Sequence, residues 1–135
     1  MTDISAIVEN VCGRLELITA KRNIKIDIDE RFRCVLNADP RLITIAVDNL
    51  ISNAIALCKT GERIVITTNL NGIDVSYEGG KIDGNERRNI WKPFKGVDVE
   101  TTDLYLSSEI FELHNFKYGS VPTYNGMSLF FEGKS

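Results

Sequence analysis

No stretch of this 135-residue chain approaches the ~20 consecutive apolar residues of a membrane-spanning helix. The opening Met-Thr-Asp-Ile-Ser lacks the basic-then-apolar order of a secretory signal. Cysteine is sparse: Cys12, Cys34 and Cys58 are an odd, scattered set without a Cys-x-x-Cys pair. That usage fits small core residues in a reducing compartment, so a cytoplasmic location and no membrane insertion are expected. Basic residues are not in excess, with 16 Lys and Arg against 19 Asp and Glu. A net charge of −3 argues against nucleic acid as a partner. Histidine occurs once, at His114. No Ser/His/Asp triad, Cys/His metal spacing or phosphate-cradling glycine loop stands out.

What is present is apolar pattern, at 43% hydrophobic residues, enough for one core and one domain spanning 1–135. Ile4, Ile7, Val8, Val11, Leu15 and Ile18 follow a helical rhythm, and Ile24, Ile26 and Ile28 alternate as in a half-buried strand. A short strand near Arg33–Asn37 should follow. Asp39-Pro40 signals a helix start, a capping carboxylate before a first-turn proline, and the helix should end near Lys59-Thr60-Gly61. Arg63–Thr68 and Ile73–Tyr77 flank Asn71-Gly72, a hairpin signal, and a second hairpin surrounds Asn125-Gly126. A third helix is predicted from about Asp103 to His114 with Leu106, Ile110 and Leu113 inward. The stretch from Glu78 to about Thr102 reads as irregular, with one helical turn near Arg87–Trp91. The fold class expected is α/β (α+β), a two-layer sandwich: about three helices on one face of a mixed, mostly antiparallel sheet of five or more strands.

Asn49 and Asn53 sit four residues apart in the apolar second helix, which puts both amides on one face. An unpartnered buried amide costs about 1–3 kcal/mol, so the pair points to a polar ligand or a dedicated network. Between Lys81 and Lys95, five basic residues (Lys81, Arg87, Arg88, Lys92, Lys95) face only Asp83 and Glu86. That local excess reads either as a solvated loop or as a docking patch for an acidic partner or phosphate.

Ala38-Asp-Pro-Arg-Leu42 leading into Asn49-Leu-Ile-Ser-Asn-Ala54, then Ile90-Trp-Lys-Pro-Phe94, then Leu104–His114, form an ordered set. In that order they resemble the Asn-containing helix, the Phe box and the helix after the second glycine box of bacterial sensor histidine kinases. The resemblance covers nearly the whole chain and implies their ATP-binding domain, the Bergerat-type fold shared with DNA gyrase and Hsp90. It makes Asn53 the magnesium ligand, should Mg-ATP bind, and Asn49 its companion.

The departures matter as much. The family ends a strand in Asp-x-Gly-x-Gly, whose carboxylate accepts the adenine amino group. Here Tyr77 stands at the aspartate, Gly79 keeps the first glycine and Lys81 replaces the second. A phenol oxygen lies beyond where a carboxylate would present its acceptors. Glu78, the next residue, should point to the opposite face of the strand. The second glycine box is replaced by Thr101-Thr-Asp103, which adds side chains and a carboxylate where phosphate would meet a helix N-terminus. Ala56 stands where a lysine is common, and only eight residues separate Phe94 from Asp103 as a lid.

The resemblance therefore implies a degenerate kinase-like ATPase domain, a pseudokinase with weak or no ATP binding, acting through protein contact in two-component signalling. No cofactor is expected on that reading; ATP and Mg2+ would enter only if the pocket works. Its partners would be a kinase histidine hairpin or a response-regulator receiver domain. The alternatives are a divergent working catalytic domain, or the kinase-like half of a histidine phosphotransferase. His114 is expected to pack or cap near a helix C-terminus rather than carry phosphate.

Overall fold

A computed structural model describes residues 1–79, Trp91 and 103–133. The basic residues Lys81, Arg87, Arg88, Lys92 and Lys95, together with Phe94 and Thr101, lie outside the described residues, as does the expected turn near Arg87 apart from Trp91. Among the described residues there are seven strands and four helices. The strands are β1 (Thr2–Asp3), β2 (Lys25–Glu30), β3 (Val35–Leu36), β4 (Arg63–Thr68), β5 (Gly72–Glu78), β6 (Lys117–Pro122) and β7 (Gly126–Glu132). The helices are α1 (Ile4–Arg14), α2 (Glu16–Lys21), α3 (Pro40–Leu57) and α4 (Asp103–Leu113).

Five strands form one sheet in the order β2-β4-β5-β7-β6, parallel at β2–β4 and antiparallel elsewhere. The mixed, mostly antiparallel sheet matches the expected class. Register lines up three inward rows: Ile26, Ile64, Tyr77 and Met127; Ile28, Ile66, Val75 and Leu129; Thr68, Ile73 and Phe131. Their central members are buried beneath α1, α3 and α4 in a single core. The outward rows carry Lys25, Asp27, Asp29, Arg63, Asp74 and Glu78.

Helix α3 starts as expected. Asp39 accepts from the amides of Arg41 and Leu42, and Pro40 takes the first helical position. Its other end is closed by a residue the sequence did not advertise. The Arg22 guanidinium donates to the carbonyls of Ile55 and Cys58, two of the acceptors a helix C-terminus leaves open. Charge-assisted bonds of this kind contribute about 1.5–3 kcal/mol each.

Three expectations need correction. The first helix is two helices, broken at Leu15, and β1 pairs with β3 beside it. Gly13 weakens the helix just before the break, and the turn rotates Thr19 inward while Ile18 becomes half exposed. In α4, Leu113 is 72% exposed and Leu106 also faces solvent, whereas Leu104, Ser107, Ser108, Ile110 and Phe111 are buried. The serines satisfy their own hydroxyls: Ser107 donates to the Ala46 carbonyl at 3.1 Å and Ser108 to that of Tyr105 at 2.6 Å. Small, internally bonded side chains let α4 sit close on α3, a packing that counting apolar residues overlooks.

Both hairpins form, but with the glycine one step later than a central turn position. The amide of Asn69 donates to the Gly72 carbonyl and that of Thr123 to the Gly126 carbonyl, so Leu70-Asn71 and Tyr124-Asn125 are the loop residues. Gly72 and Gly126 open the returning strands. A Cβ on either would lie 2.0 Å from a backbone oxygen of the neighbouring strand, that of Phe131 or Tyr77. Close strand approach, not turn geometry, requires glycine there.

Candidate functional site

The end of α3 meets the end of β5, and of the candidate residues Tyr77 and Gly79 lie at that junction. The Lys59 amide donates to the Glu78 carbonyl at 2.9 Å, just beyond the Cys58 cap. Tyr77 precedes Glu78 on the inward row, between Ile64 of β4 and Met127 of β7. Alternation along β5 explains the placement: Ile73, Val75 and Tyr77 point inward, Asp74, Ser76 and Glu78 outward.

Tyr77 is only 2% exposed, and its hydroxyl finds no hydrogen-bond partner. Burial, with a smaller effect from the neighbouring Cys58 thiol, pushes its phenol up to about 12. The phenol is therefore a neutral, buried group whose ring fills space in the core. Glu78 lies on the outward face, as expected. Its carboxyl shares a hydrogen bond with that of Glu62, which holds Glu78 below and Glu62 above the usual carboxylate range. Asn125 donates to Glu78 at 3.3 Å. Neither carboxylate of β5, Asp74 or Glu78, points into the core.

Asn53 is buried, whereas Asn49 is half-buried on the same helix face. The four-residue spacing joins them, through backbone rather than side chain: Asn53 Nδ2 donates to the Asn49 carbonyl at 2.9 Å. Its Oδ1 is buried and has no partner. Five residues separate Asn53 from Cys58, about 7 Å along the axis at 1.5 Å per residue. Asp48, just before Asn49, is occupied with Ser52 at 2.9 Å and with Arg14 of α1 at 2.8 Å.

Gly79, expected to be the retained first glycine, is required by the chain's own backbone. Its φ is +98°, a left-handed conformation that side chains resist. A Cβ there would also stand 2.9 Å from the Lys59 side chain. Asp103 opens α4, already inside the helix rather than at its cap. Trp91 is buried against Tyr118, with ring centroids 5.0 Å apart, and its indole N–H has no partner.

His114 is structural, as anticipated. Its Nε2 accepts from the Asp39 amide at 3.0 Å and its Nδ1 meets the Ile110 carbonyl at 2.8 Å. The two bonds pin the end of α4 to the start of α3. Of the thiols, burial pushes Cys12 and Cys34 up to about 11, and Cys58 is raised for the same reason. None is poised as a nucleophile. Among the described residues, no group of three or more His, Cys, Asp or Glu could hold a metal ion, and no helix is long and apolar enough to cross a membrane.

These elements, in this order, recur in solved structures. The catalytic domain of histidine kinase ThkA superposes with a TM-score of 0.83 at 21% identity, over 96% of this chain and 91% of that one. This is the histidine kinase catalytic-domain fold. The ATP-binding domain of PrrB from Mycobacterium tuberculosis has a TM-score of 0.76 at 18% identity, over 99% and 96%. Full-length ShkA, solved in complex with AMPPNP, has a TM-score of 0.82 at 17% identity, over 98% of this chain and 30% of that one. No protein-family model matches the sequence, and no curated protein matches it. The kinase-type fold is thus shared at identities where the residues of the pocket are free to differ.

Two of the described residues bear on Mg-ATP. Asn53 Oδ1 is an acceptor that a cation could use, but the position expected to meet adenine is a buried phenyl ring.

Proposed function

We propose that residues 1–135 form one histidine-kinase-ATPase-like domain with a degenerate nucleotide pocket, acting in two-component signalling as a regulatory, protein-binding module. The observation that carries this reading is the buried ring of Tyr77 between Ile64 and Met127, where the resemblance expects the adenine-binding aspartate. Removing a hydrogen bond to a charged group lowers affinity about ten- to a hundredfold, and a ring in the slot lowers it further. The retained Gly79 adds no support for nucleotide, because its backbone requires glycine anyway.

Titration calorimetry with Mg-ATP tests the reading. The wild-type chain should give no saturable heat into the millimolar range. Tyr77→Asp with Thr101→Gly and Asp103→Gly should gain binding if substitution at these positions is the obstacle, with circular dichroism confirming that the variant folds. Clear micromolar binding by the wild type would refute the proposal.

A second reading, a divergent working catalytic domain, is favoured by one atom. Asn53 Oδ1 is a buried acceptor without a partner, the state expected of a group awaiting a cation. The same titration decides between the two.

The partner we propose is a receiver domain or a histidine hairpin, met through Arg87, Arg88, Lys92 and Lys95. Reversing Arg87 and Arg88 to glutamate should weaken binding of a receiver domain about tenfold and leave the melting temperature unchanged, the behaviour of rim charges that steer association. Unchanged binding would remove the patch from consideration.

A further inference from the structure

Among the described residues the sheet has two open edges, β2 and β6, and the chain treats them differently. Strand β6 carries Gly119 and ends in Pro122, residues that discourage pairing with another strand. Strand β2 (Lys-Ile-Asp-Ile-Asp-Glu) contains neither glycine nor proline. The Lys25 amide donates to the Glu62 carbonyl, so odd-numbered residues of β2 turn their backbone groups toward β4. Alternation then turns the amides and carbonyls of Ile26 and Ile28 outward along the free edge.

Beside that edge lies a groove of about 440 Å3, walled by Cys12, Glu16 and Thr19 on the helices and by Ile24, Ile26 and Ile28 on the strand. The inward rows of the sheet are buried at Ile64 and Ile66, yet Ile28, in the same row as Ile66, is 40% exposed. Helix α2 exposes Leu17 and Ile18 as well. Among the described residues, apolar side chains beside the core stay exposed along this side.

We propose that the edge of β2 pairs antiparallel with β2 of a second copy, continuing the sheet across a two-fold axis. Charge selects the register. Facing Ile28 against Ile28 opposes Asp27 to Asp29, and facing Ile26 against Ile28 opposes Asp27 to itself. Facing Ile26 against Ile26 sets Lys25 against Asp27 twice on the outer face, and Ile24 against Ile28 twice on the inner face. Only that last register is free of like-charged pairs. It also places Ile26 in a hydrogen-bonded pair and Lys25–Asp27 in the closer, non-hydrogen-bonded pairs, where side chains interact most. Asp27 keeps its own-chain neighbour Arg63, at 3.5 Å, on its other side. The inward isoleucines of each copy enter the groove of the other.

Sedimentation equilibrium of the full chain, from low micromolar to sub-millimolar concentration, tests this. The wild type should show a monomer–dimer equilibrium. Asp27→Lys or Lys25→Asp alone makes both cross-pairs repulsive and should weaken the dimer about ten- to thirtyfold. The double variant Lys25→Asp with Asp27→Lys should return to within about threefold of wild type, because it restores both cross-pairs. Because Lys25→Asp also puts a carboxylate opposite Arg63 of its own chain, urea unfolding of all four chains runs alongside, and only rescue of the dimer without a parallel change in monomer stability reports pairing between copies. Ile28→Pro removes an outward amide, leaves the β4 ladder intact and should abolish the dimer without unfolding the monomer. A wild-type chain monomeric throughout the range overturns the proposal. So does a dimer that the single charge changes leave intact, or one that the double exchange fails to rescue.

Discussion

Tyr77→Phe should make the protein more stable, by about 1–2 kcal/mol at neutral pH, because it removes a buried hydroxyl that has no partner. Tyr77→Asp should do the reverse and cost about 3–5 kcal/mol or more: it deletes a fully packed ring and leaves a carboxylate in its place. Urea unfolding of the three proteins at one pH measures both effects. The alkaline limb supplies a separate check. Burial raises the phenol from 10.0 to about 12, so the folded state holds its proton where the unfolded state releases it. That contribution is complete below pH 10 and is lost as pH climbs toward 12, and the phenylalanine variant should lack the loss. A phenylalanine variant that is less stable than wild type would mean that the hydroxyl is bonded after all.

The second large effect is expected at Phe111. This residue of α4 is fully buried and stacks on Phe131 of β7, with centroids 4.7 Å apart and planes within 23°. Tyr118 tilts against it at 5.7 Å, and Phe116 stacks on Phe131 in turn at 5.9 Å. Phe111→Ala opens a cavity where helix and sheet meet and should cost about 3–5 kcal/mol. Phe111→Leu should recover most of that loss by refilling the volume. Leu113→Ala, two residues on, should move the urea midpoint very little, since its side chain is mostly in solvent. Equal losses at the two positions would contradict the orientation of α4.

That orientation is where the sequence misled most. Leu106 and Leu113 look like core residues at helical spacing, and Ser107 and Ser108 look like surface, yet the helix buries the serines. Periodicity measures where apolar residues are; it does not register that a serine can bond the carbonyl of a neighbouring helix. Elements whose signal is local were legible: the Asp39-Pro40 start of α3, both hairpins, and the inward alternation that buries Tyr77. Signals spread over distant residues were not. Nothing near Arg22 indicates that it closes a helix more than thirty positions away. Asn23 and Asn115, at φ +53° and +57°, each end a helix with paired bonds from the two amides that follow its last turn. A helix-ending asparagine is a readable sign, though weaker than the glycine usual there. The site was legible in its residues and not in its bonds. The spacing of Asn49 and Asn53 foretold a shared face, but not that one amide would spend its donor on the helix backbone.

Gly79 has a further meaning for how chains of this shape are sorted. Its dihedral and the nearness of Lys59 would demand glycine even in a molecule that never meets a nucleoside triphosphate. Crediting that residue to ligand affinity attributes to a nucleotide a choice the polypeptide makes alone. The informative position is its neighbour two places earlier, an ordinary strand residue whose identity is set by what its side chain meets.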